Sequence, residues 1–116
     1  MASPSKIYEL PGWWKQPDAT VARNLEAELQ RELPPGHLLY GIPVETFGYS
    51  DGSDDVLFHR LDTPDRFTIV HLTWLGHTEI NAQHPTVEFD GTFAEFLAYH
   101  EDLISFLRSV AKKSGD

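Results

Sequence analysis

The run Arg66-Phe67-Thr68-Ile69-Val70-His71-Leu72-Thr73-Trp74 is apolar on both of the faces that an extended chain presents. Side chains alternate along a strand, so Phe67 and Ile69 face one side while Val70, Leu72 and Trp74 face the other. Such a strand belongs in the middle of a sheet that is covered, at least in part, on both faces. Before it, Asp62-Thr63-Pro64-Asp65 is turn chemistry, and a strand is expected over residues 55–61. Ser50-Asp51-Gly52-Ser53 makes a second turn, which leads back to a strand over 39–48. The three strands read as an antiparallel meander, and residues 86–90 supply a fourth.

Helical signals bracket the strands. Asp18 or Thr20 can cap a first helix that runs to about Leu33, with Ala22, Leu25, Leu29 and Leu33 at helical spacing and Pro34-Pro35-Gly36 as its stop. Thr92 and Glu95 have the spacing of a capping box, and Phe93, Phe96, Leu97, Leu103, Ile104, Leu107, Val110 and Ala111 form the stripe of a long last helix. Residues 1–17, with three prolines and with Tyr8, Trp13 and Trp14, read as an aromatic arm packed on a domain spanning 18–116. The expected class is α+β: an antiparallel sheet of three to four strands flanked by an N-terminal and a long C-terminal helix.

Composition narrows the role. A chain of 116 residues with 41% hydrophobic and 12% aromatic content supports one packed core. Without cysteine there is no disulfide framework and no thiolate chemistry, which suits a reducing cytoplasm. The N-terminal stretch lacks signal-peptide character and no apolar run is long enough to span a bilayer, so neither export nor a membrane role is expected. A net charge of -9 repels nucleic acid and attracts a basic protein partner.

Few residues offer chemistry. There is no nucleophile elbow, phosphate-binding glycine loop or dinucleotide fingerprint. Among six histidines, His77, Glu79 and His84 are the weak metal candidates of one loop, but their spacing spells no known ligand pattern and no cofactor is expected. Asp51, Asp54 and Asp55 read as hairpin turn chemistry rather than a calcium loop. His100 falls on the apolar stripe of the last helix, and a buried ring there needs a partner. His71 poses the same question on its strand. Tyr99 and Phe106, beside Glu95 and Asp102, form a candidate partner-binding patch, provided that the arm does not cover it.

The segments Ser53-Asp54-Asp55-Val56-Leu57-Phe58 and Val70-His71-Leu72-Thr73-Trp74, followed by Pro85-Thr86 and Phe89, resemble a pattern in an uncharacterised family of small bacterial cytosolic proteins. The resemblance covers residues 37–97; it implies a bacterial cytosolic origin and gives no activity, cofactor or catalytic residue to carry over. In size and acidity the chain is similar to bacterial immunity proteins, which neutralise toxins. The reading that follows is a small, acidic, non-catalytic protein-binding domain. The alternative is a small enzyme or ligand-binding domain using His71 and His100, with residues 75–85 as a lid.

Overall fold

The computed structural model describes residues 9–114, with side chains as far as Val110. Its elements are β1 (Trp14–Lys15), α1 (Ala19–Glu32), β2 (Val44–Ser50), β3 (Asp55–Arg60), β4 (Phe67–His71), β5 (Thr86–Gly91) and α2 (Phe93–Ser114). The strands form one antiparallel sheet in sequence order. The class is α+β as expected, with five strands rather than three or four. The extra strand is only two residues long and lies in the arm between Pro11 and Pro17, where Trp14 pairs with Ser50 and Lys15 with Tyr49. Nothing so short leaves a periodic signal.

The alternation read along β4 sorts the core into two layers. Val56, Phe58, Val70 and Leu72 pack with Leu25, Leu29 and Leu33 of α1 and its C-cap. Leu57, Phe67 and Ile69 pack on the other side with Trp14, Phe93 and Phe96. One helix therefore covers each face, and the arm shares the second with α2. Asp18 caps α1, its carboxylate accepting from the N–H of Val21 at 2.8 Å.

Two expected strands are shorter than read. Residues 39–43 form turns rather than strand, with Leu39 fully buried and Gly41 at φ 79°. β4 ends at His71, and Trp74, expected on the buried face, is 49% exposed with φ 59°. The cause lies on α1. Glu32, with no exposed surface, accepts the N–H groups of Thr73 (3.0 Å) and Trp74 (2.8 Å), and buried Glu28 accepts that of Gly76 (3.2 Å). Pulling successive amides onto one carboxylate turns the chain out of the sheet and carries the indole away from the core.

Burial, and then the neighbouring Glu28, raise the Glu32 carboxyl above its ordinary value. Glu28 is lowered, first by its hydrogen bond with Glu32 and further by Arg31, 2.8 Å away. Glu32 is thus the first of the two to take up a proton as pH falls. Because a buried donor that loses its acceptor costs about 1–3 kcal/mol, Glu32→Ala is expected to destabilise the fold by about 3 kcal/mol. Glu32→Gln, which keeps an acceptor and removes the repulsion, should cost less than half of that in urea denaturation. Equal losses would show that the amide contacts do not hold this loop.

Candidate functional site

α2 begins as its sequence implies. The N–H of Glu95 donates to Thr92 Oγ1 (3.1 Å) and the N–H of Thr92 to Glu95 Oε1 (2.8 Å), a reciprocal cap. Glu95, which stays exposed, is thereby engaged in the helix start. Phe93, Phe96 and His100 then lie buried on the sheet side. Further along the same stripe, Leu103 and Ile104 are half-buried, while Phe106 is 62% exposed and Leu107 and Val110 are each 47% exposed. At about 1.5 Å per residue α2 is roughly 33 Å long, and its apolar stripe outruns the sheet beneath it.

Among the described residues, the arm covers the first half of this stripe. Trp13 lies on His100 with ring centroids 4.7 Å apart, and Trp14 meets Phe96 edge-on at 5.6 Å. Gly12 permits that approach, since a Cβ there would stand 2.7 Å from His100 Nε2 and the residue has φ 58°. Tyr99, expected to be accessible with Phe106, is half-buried against Phe89 at 5.3 Å. Phe106 and Asp102 remain exposed. The first eight residues of the expected arm, including Tyr8, lie outside the described residues.

A cleft of about 330 Å³ opens between the arm, the turn at 50–53 and α2, with Trp13, Asp55, Tyr99, His100 and Leu103 among its walls. His100 is 3% exposed, and its Nε2 has no hydrogen-bond partner among the described residues. Burial lowers its pKa below the ordinary 6.5 despite the nearby charge of Glu101. His71 is not on these walls. It stands at the exposed end of β4, where its Nδ1 lies 2.8 Å from Asp55 Oδ1, and that bond raises its pKa with help from Asp54 and Glu88. The two histidines are therefore not a pair, although Asp55 joins the surroundings of one to those of the other.

Glu88 had no signal in the sequence. Ile69 pairs with Phe89 and Val70 with Val87, so Glu88 is the unpaired residue of a bulge. Donor atoms of Asp55, His71 and Glu88 all lie within 4.8 Å of one another. Tyr99 feels the same charges: burial first, and then Glu88 and Asp55, raise its hydroxyl pKa.

The loop candidates do not converge. His77 Nδ1 is 3.1 Å from the carbonyl of Thr78, Glu79 accepts from Thr73 Oγ1, and His84 Nδ1 is 3.3 Å from Thr86 Oγ1. Nor does the segment hang free as a lid would, because Gly76, Thr78 and Glu79 all donate to α1. His37, not singled out by the sequence, is a core histidine: its Nε2 donates to the Pro85 carbonyl (2.7 Å) and its Nδ1 accepts from the N–H of Leu39 (3.0 Å). A second groove of about 720 Å³, between the arm and α1, has Glu9 and Asp18 as its charged walls among the described residues, and Asp18 is engaged as the α1 cap.

No family model, curated protein or solved structure matches the chain. No helix among the described residues is long and apolar enough to cross a membrane.

Opposite pKa shifts give the two histidines opposite pH signatures. The lowered His100 contributes stability that is present above about pH 6.5 and lost as pH falls below it. The raised His71 contributes stability that is complete below about pH 6.5 and lost as pH rises through its folded pKa, a smaller effect because the ring is half in solvent. Thermal unfolding from about pH 5 to about pH 9 should therefore show His100→Leu closing on wild type at the acid end and His71→Asn closing on it at the alkaline end. Differences from wild type that stay constant across this range would contradict both assignments.

Proposed function

We propose that this chain is a non-catalytic protein-binding domain that docks a basic partner protein through the open half of α2. The observation that carries the reading is the exposure of Phe106, Leu107 and Val110 on a stripe whose first half is core. A contiguous apolar surface of this kind on a folded domain is the usual mark of an interface. Residues 103–114 of α2 span only about 18 Å, too little for the ~800 Å² per side of a stable complex. The partner must therefore also cover the flanks, where Glu101 and Asp102 are exposed. Two copies of a chain with net charge -9 repel each other, whereas a basic partner is steered toward this surface.

Small size and acidity, the two traits shared with immunity proteins, make neutralisation of a basic bacterial toxin the form of this role that we favour. The enzyme or ligand-binding alternative draws less support. His71 is absent from the cleft that His100 lines, and the 75–85 segment is tied to α1.

The test is kinetic. A basic partner captured from bacterial extract and then purified should dissociate about 30-fold faster from Phe106→Ala and Leu107→Ala, the equivalent of about 2 kcal/mol for a central anchor. Added salt and Asp102→Lys should slow association more than they change dissociation. Wild-type dissociation from both apolar variants would overturn the proposal. So would a stable dimer of the chain alone that Phe106→Asp dissolves, because the occupant would then be a second copy.

A further inference from the structure

We infer that Asp55, His71 and Glu88 form a binding site for one divalent transition-metal ion, best matched by Zn²⁺, at the rim of the cleft between the arm and α2. The site is built by three adjacent strands. Asp55 opens β3, His71 closes β4 and the two are cross-strand partners. Regular pairing from Ile69↔Phe89 onward would set Glu88 opposite Val70, on the α1 face. The bulge instead leaves Glu88 unpaired, with a carboxylate oxygen within 4.8 Å of the donor atoms of Asp55 and His71. Bulges recur where a strand must redirect one side chain.

The donor set and its spacing suit the ion. Zinc binds imidazole and carboxylate at about 2.0–2.2 Å, which puts neighbouring donors about 3.3–3.5 Å apart in a tetrahedron. The present separations, from 2.8 Å between His71 and Asp55 up to 4.8 Å, bracket that range. His71 and Glu88 are exposed, so small side-chain rotations close the difference. Calcium and magnesium prefer six or more oxygen ligands, and an imidazole in a three-donor set points away from them. Three protein donors leave a fourth position open.

Asp55 belongs both to the donor set and to the cleft wall, so an ion held there stands at the mouth of the cleft.

The test uses the full chain without a histidine tag, stripped with EDTA and titrated calorimetrically with ZnCl₂, and in parallel with Co²⁺ followed by visible absorption. We expect saturable binding of one ion per chain and a melting temperature that rises with Zn²⁺. Glu88→Gln and His71→Ala should each weaken binding about tenfold or more, since even outer-shell partners are worth that much. His77→Ala and His84→Ala should bind as wild type. Melting curves in EDTA establish that each variant is folded, and Glu88→Gln, at an exposed bulge position, decides the matter if His71→Ala proves unstable. Absence of saturable binding to the folded wild type, or binding undiminished by Glu88→Gln, would overturn the inference.

Discussion

Burial of β4 on both faces is the constraint from which the rest of the structure follows. Phe67, Thr68, Ile69 and Val70 are all buried in succession, so neither side of the sheet can be left to water. Each fully buried large apolar side chain contributes about 1.5–3 kcal/mol, and an uncovered face would lose that for Phe67 and Ile69 together or for Val70 and Leu72 together. α1 covers one face. The other is wider than the first half of α2, and Trp13 and Trp14 of the arm complete it. A two-residue strand suffices to dock them because the indoles, not the backbone pairing, supply the energy.

Polar groups in the interior act as fasteners between these layers. Glu28 and Glu32 hold the chain that leaves β4, and His37 ties residues 37–39 to Pro85 before β5 begins. Asp90 does the same at the opposite end of the sheet: it accepts from Thr68 Oγ1 at 2.6 Å and from Arg66, and although burial raises its carboxyl, these bonds together with the charges of Arg66 and Arg60 keep it lowered. Each group spans elements far apart in sequence, so these bonds specify which loop sits where more than they add net stability. The chain after β4 is thus a clamped connection although Trp74, Leu75 and Ile80 on it are exposed, and the exposed apolar stripe continuous with the core lies on α2.

Periodicity made the two helices, the Thr92 cap and the two-sided character of β4 legible, because each is a local pattern enforced by burial. His100 was legible as a buried polar ring for the same reason. Glu28 and Glu32 lie on the very stripe that carries Leu25 and Leu29, at offsets of three, four and seven, and the argument applied to His100 would have found them. Trp74 was misplaced because strand alternation assumes that the strand continues, and a carboxylate 42 positions earlier in the chain ends it. Glu88 was invisible on principle: a bulge is a property of the pairing between β4 and β5, and no single-strand pattern encodes it. The exposed stripe was equally hidden, since sequence shows where α2 is apolar but not where the sheet beneath it stops.

The account rests on α2 being one helix with two environments, a buried first half and an exposed second half. Amide hydrogen exchange of the free protein measures this directly, because amides under a packed face open only with the fold whereas those of an unsupported helix open locally. The account predicts slow exchange from Phe96 to His100, close to that of β4, and a steep rise beyond Leu103. Protection that continues undiminished to Val110 in a monomer would contradict it.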